Sequence, residues 1–217
     1  MHRLEVTNPF DGSPIGEVKL SSASEVDTAL AIAEKTQKAN KKGLPKHERI
    51  AVLKKTAELM KGRADELALL IASEGGQPLI DAKVEVERAI DGVETCAAEI
   101  ANNAGMEIPM DLTSAGEGKI AFTTKEPIGI VVAVSAFNHP LNLIVHQVAP
   151  AVAAGNPVIV KPADDTPLCC EVFIQILHQA GLSPEWAQFV CCDVGDAQKL
   201  VTDERELLFL ALLGRRL

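Results

Sequence analysis

Three polar residues, Asn138, Lys161 and Asp164, sit at places where a folded chain could put reacting or ligand-holding groups. Asn138 follows Ile128 to Val134, a nearly continuous β-branched apolar run of the kind that forms a parallel strand covered on both faces. Lys161 ends a second such run, Val158-Ile159-Val160. Between the two runs, Pro140 suits the first position of a helix, because its missing N–H would have no partner there. Leu141, Leu143, Ile144, Val145, Val148 and Val152 continue that helix, Pro150 is expected to bend it, and Gly155-Asn156 stops it. The product is a β-α-β unit with Asn138 and Lys161 just beyond the carboxyl ends of their strands, where open α/β sheets bind ligands. An ammonium ending a buried strand can reach a ribose hydroxyl of a bound dinucleotide; the alternative is a solvated lysine at a strand end. Asn138 could equally cap the helix that opens at Pro140.

The elements around these residues carry further motifs. Phe137-Asn138-His139-Pro140-Leu141, then Gly155-Asn156, then Lys161-Pro162-Ala163-Asp164-Asp165-Thr166-Pro167 form an ordered series. Asn8-Pro9-Phe10-Asp11-Gly12 and Glu74-Gly75-Gly76-Gln77-Pro78 with Glu85-Val86-Glu87-Arg88-Ala89 precede it. Together they resemble the N-terminal part of the aldehyde dehydrogenase superfamily over nearly the whole chain. Departures are Ser135-Ala136 where many members have a proline, and Asp164 where glutamate is common.

The resemblance implies NAD(P)-dependent oxidation of an aldehyde to a carboxylic acid. That reaction needs a thiolate nucleophile, an oxyanion donor, a nicotinamide to take hydride and a base to activate water. By resemblance Asn138 donates its side-chain N–H to the oxyanion, Lys161 meets a ribose hydroxyl, and Asp164 meets the 2′-hydroxyl. An acid at that place would repel a 2′-phosphate, so NAD is expected, with NADP possible. Phe137 lines the cofactor cleft or is core. Gly214 matches the turn that faces the phosphates, where Arg215 replaces a serine. His146 stands where lysine is common in the family and reads as a partly buried helix residue.

The five cysteines do not supply the nucleophile. Four form the adjacent pairs Cys169-Cys170 and Cys191-Cys192, in a helix and a strand interior, where a free Cys behaves as a small apolar residue. Adjacent pairs also lack the spacing that lets two thiolates converge on zinc, so no metal site is expected.

A chain of 217 residues with 47% hydrophobic and 24% charged residues has the composition of an ordinary globular protein with a sizeable core. Its net charge of −9 argues against nucleic acid or an anionic membrane as partner. No run approaches about 18 apolar residues and no apolar leader follows Met1-His2-Arg3, which points to the cytoplasm. The fold class expected is α/β: a Rossmann-like parallel sheet flanked by helices, preceded by an N-terminal helical region.

Residues 1–104 should hold two short strands and a set of helices. Ser24 and Asp27 would open the first helix, and one apolar stripe runs from Ile50 to Ile71, weakened at Gly62. Residues 105–126 read as an excursion from the compact body, with Lys119 to Lys125 alternating like an edge strand, and the resemblance implies that this is a partial oligomerisation ribbon. Residues 127–217 read as a partial NAD(P)-binding domain, with strands at Gln188 to Cys192 and Leu207 to Leu213. The chain is expected to stop before the catalytic domain and to be inactive alone. The competing reading is a non-catalytic interaction module, pairing as a homo- or hetero-oligomer with a homologous chain or a complementary fragment through its exposed sheet edge and ribbon strands.

Overall fold

The computed structural model describes residues 2–203 and the backbone of 207–212. An antiparallel pair, β1 (Arg3–Thr7) and β2 (Pro14–Lys19), opens the chain around the Asn8–Gly12 turn. Four helices follow: α1 (Ala23–Ala39), α2 (Lys46–Gly62), α3 (Ala64–Gly75) and α4 (Leu79–Asn102). The first is capped two residues earlier than the sequence reading expects. Ser22 and Glu25, not Ser24 and Asp27, make a reciprocal capping box. The apolar stripe from Ile50 to Ile71 is split between α2 and α3, because the helix breaks at Gly62 and Arg63, where glycine holds a helix poorly.

A short ribbon, β3 (Glu107–Ile108) against β4 (Ala121–Phe122), carries far less pairing than the expected edge strand over Lys119 to Lys125. Then come β5 (Ile130–Val134), α5 (Pro140–Ala154), β6 (Val158–Lys161), α6 (Pro167–Gln179), β7 (Ala187–Phe189), α7 (Val194–Thr202) and β8 (Leu207–Leu212). Strand β7 begins one residue earlier than expected and its ladder stops at Phe189, three residues before Cys192. Helix α5 runs on through Pro150 to Ala154.

The last four strands form one parallel sheet in the order β7-β6-β5-β8. Side chains on successive strand residues face opposite sides, and the core divides accordingly. Val131, Ala133, Val158 and Val160 join the large cluster built from α2 to α6. Ile130, Val132 and Ile159 join a smaller one with Val26, Leu30, Ala33 and Leu200 of α1 and α7. Both faces are thus covered, which is why these strands lack the polar alternation of an amphipathic sheet.

The chain moves outward from β5 to β6 and β7, then returns across the sheet to place β8 on the other side of β5. That reversal puts a topological switch point at the carboxyl end of β5, the place where such sheets open a ligand crevice.

Helix α5 carries no acid in its first turn and no base in its last. Its dipole is complemented from outside. At the C-terminal end the buried Arg49 of α2 donates to the Ala153 carbonyl at 2.5 Å. The backbone there is tightly fitted: Gly43 has φ +71°, and a Cβ on it would lie 2.6 Å from the Gly155 carbonyl oxygen. At the N-terminal end the complement is Glu85, and it belongs to the site.

Candidate functional site

Strands β5 and β6 pair in register, with Val134 opposite Lys161, and the Ser135 N–H donates to the Lys161 carbonyl at 3.0 Å. The two turns that follow these strands therefore start side by side at the carboxyl edge of the sheet. Phe137 and Asn138 project from the first turn, and Phe137 is 59% exposed, so it is not core. Among the described residues nothing holds the Asn138 amide. Asn138 does not cap α5 either: the cap position is His139, whose side chain makes no capping bond.

The α5 cap comes instead from α4. Glu85 is 3% exposed, and its Oε1 accepts the N–H groups of Leu141 at 2.9 Å and Asn142 at 3.0 Å. Its Oε2 accepts from Gln77 Nε2 at 2.9 Å and lies 3.1 Å from His139 Nδ1. A carboxylate has room for about four such donors, and all four places are filled. Gln77 Nε2 uses its other hydrogen on the Asn138 carbonyl, also at 2.9 Å.

The second turn repeats the device with a different acid. Helix α6 begins at Pro167 after Thr166, whose side chain makes no capping bond. Glu74 of α3, 3% exposed, accepts the N–H groups of Leu168 and Cys169, both at 2.8 Å. Burial outweighs these donors and raises the Glu74 carboxyl above the usual carboxylate range, with a smaller push from the charge of Glu85. The motif around Glu74 and Glu85 was visible in the sequence, but neither acid stood out as a cap. The signal was their position: each lies on the apolar stripe of its helix, Glu74 after Leu67 and Ile71, Glu85 between Ala82 and Ala89. A charge on a buried stripe requires partners.

Lys161 is 7% exposed, and its Nζ lies 2.5 Å from Oδ1 of Asp164, which is half exposed. The pair presents one cationic donor and one acidic acceptor at the edge of the sheet, a donor set that suits a vicinal diol. Behind it lie Cys191 and Cys192. Burial pushes both thiols up to about 11, against a partial opposing pull from the Lys161 ammonium. Burial also drives Cys169 and Cys170 well above the ordinary thiol value and raises Cys96. Thiols held this high contain little thiolate at neutral pH, so none of the five is an activated nucleophile. His146 is exposed on α5 rather than partly buried, because its side of the helix faces away from the sheet. Gly214 and Arg215 lie outside the described residues.

A doubly covered parallel sheet with a switch point beside an amide donor and a buried ammonium defines a nucleotide-binding type of α/β protein. The sequence profile described as the aldehyde dehydrogenase family matches residues 1–216, and the chain belongs to that family. It is 32% identical over 212 residues to a 3-sulfolactaldehyde dehydrogenase of Priestia aryabhattai, covering 98% of this chain and 44% of that protein. Among solved structures it is similar to aldehyde dehydrogenase 21 of Physcomitrella patens in complex with succinate, with TM-score 0.91 and 34% identity over 96% of this chain and 43% of that one. A glyceraldehyde-3-phosphate dehydrogenase of Methanocaldococcus jannaschii complexed with NADP superposes with TM-score 0.88 at 29% identity, over 96% of this chain and 45% of the other. The chain thus spans less than half the length of these relatives.

Proposed function

We propose that this chain is the coenzyme-binding part of an oxidoreductase that converts an aldehyde to a carboxylic acid with NAD, NADP being a weaker ligand. The observation that carries this reading is the buried Lys161 ammonium, held by Asp164 at the carboxyl edge of β6 next to the switch point. In this reading Lys161 donates to a ribose hydroxyl and Asp164 accepts from the 2′-hydroxyl, while Phe137 and, outside the described residues, Gly214 border the cofactor. When bound, the nicotinamide supplies the hydride acceptor. Asn138 offers its free amide to the oxygen that gains negative charge. Loss of one such donor in other enzymes costs roughly 3 kcal/mol of transition-state stabilisation. The raised thiols of this chain leave the nucleophile to another part of the protein. We further assign residues 1–104 to the packing region, 105–126 to the ribbon and 127–217 to the nucleotide domain, and place the protein in the cytoplasm, in keeping with five free thiols.

Binding measured by calorimetry tests the cofactor reading. Lys161→Ala should weaken NAD about tenfold, or about 1.4 kcal/mol. Asp164→Ala should narrow the gap between NAD and NADP. Equal affinity of the parent chain and Lys161→Ala for NAD would overturn the assignment.

A second reading has its own support. Phe122 on the ribbon and Ile120, Met106 and Leu112, which flank the ribbon strands in the chain, are all more than two-thirds exposed. Apolar residues in such numbers at a two-stranded ribbon suit contact with another chain. Ile120→Lys with Phe122→Lys should lower the molecular mass seen by light scattering if the ribbon joins two copies; an unchanged mass removes this reading.

A further inference from the structure

A side chain that meets a ligand without a protein partner of its own can have its direction set through its backbone. Asn138 is in that position, with an unpartnered amide on an exposed turn. Its carbonyl, by contrast, is held: Gln77 Nε2 donates to it at 2.9 Å from a site 61 residues away.

Gln77 itself has little freedom. It lies between Gly76, left-handed at φ +66°, and Pro78. A residue before proline is confined to extended backbone. Gly76 is pressed against Pro9, whose Cγ would lie 2.9 Å from a Cβ at that position, so the bend cannot shift toward it. The other hydrogen of Nε2 is fixed on Glu85 Oε2 at 2.9 Å, and Glu85 is buried and locked to the first turn of α5.

We infer that Gln77 is a positioning residue for Asn138, a bridge that fixes the peptide plane after Asn138 and so aims its amide at the crevice. The inference deepens the proposed role of Asn138 and rests on it for its functional meaning, but not for its geometry. The carbonyl of Asn138 and the N–H of His139 belong to one planar peptide unit, so the motion of that N–H reports on the plane directly.

Nitrogen relaxation of the full 217-residue chain provides the readout. In the parent chain the His139 N–H should have an order parameter near that of rigid backbone, about 0.85. Gln77→Leu removes both donors while leaving Glu85 on the helix amides, and it should drop the His139 value below about 0.6. The Leu141 and Asn142 amides should stay rigid and the melting temperature nearly unchanged, since Gln77 is only partly buried and its Oε1 has no partner among the described residues. Glu85→Gln serves as the second variant: one oxygen still accepts from the helix, while the new NH2 group faces Gln77 and should loosen His139 in the same way. An unchanged His139 order parameter in Gln77→Leu overturns the inference. Loosening that spreads along α5 also overturns it, because Gln77 would then be supporting the helix rather than the turn. Asn138→Ala keeps the carbonyl and should keep His139 rigid whether or not Asn138 acts as a donor, so failure of the bridge and failure of the proposed chemistry are separately visible.

Discussion

The two strand-to-helix turns at the sheet edge look alike in sequence, yet they hold their polar groups by opposite means. Each follows a buried strand, opens a helix with proline at its first position, and has its helix N–H groups capped by a buried glutamate from α3 or α4. At the second turn the buried ammonium is anchored within the turn itself, Lys161 to Asp164 three residues on. At the first turn no local partner is found among the described residues, and the backbone of Asn138 is fixed from Gln77 and Glu85, far away in the chain. A charged group can keep an ion-pair partner and still share its remaining donors with a ligand. The Asn138 amide has two N–H donors and an acceptor, none engaged among the described residues, so its support comes through the backbone.

The largest expected effect is at the first turn. Glu85→Ala leaves the Leu141 N–H without its acceptor in a buried setting and should cost about 3 kcal/mol of stability, read from urea unfolding. Glu74→Ala removes two backbone acceptances rather than a filled set of four, and should cost about 2 kcal/mol. If Glu74→Ala proves the costlier change, the first turn is not the more dependent of the two.

Glu74 also carries a pH signature. Its folded carboxyl is raised above the unfolded value, so the folded chain binds the proton more tightly, and this contribution to stability is full below about pH 4 and lost as pH rises through the folded value. The stability difference between the parent chain and Glu74→Gln should therefore fall as pH is raised from about 4 in a series of thermal melts. A flat difference would mean that the amide donors of Leu168 and Cys169 cancel the effect of burial. The smallest effect belongs to the local pair: Asp164→Asn should change stability by less than about 1 kcal/mol, since position 164 is half exposed and the amide oxygen of Asn can still accept from Lys161.

The same contrast explains what could be read from the sequence. Strands β5 and β6, the proline-opened helices and the closeness of Lys161 to Asp164 all arise from neighbours within a few residues, and periodicity or turn chemistry makes such features legible. The caps were hidden because each acid meets its amides across long separations, from Glu85 to Leu141 and from Glu74 to Leu168. Local rules offered the nearby Asn138 as an α5 cap, and the folded chain takes its cap from another helix. The break after Gly62 was legible as a weak point, but the α1 cap was misplaced by two residues because Ser22 and Ser24 are both good cap residues. Ser22 has Glu25 three residues on to reciprocate, a better partner than Asp27.

The central claim is that these two turns form one nucleotide-facing edge, with Lys161 as its charged contact. Titration of the nitrogen-15-labelled chain with NAD, followed amide by amide, tests it most directly. The account predicts concerted shifts of the amides from Ser135 to Asn138 and from Lys161 to Asp164, saturating together and largely lost in Lys161→Ala. Shifts confined to other parts of the chain, or unaltered in Lys161→Ala, would contradict it.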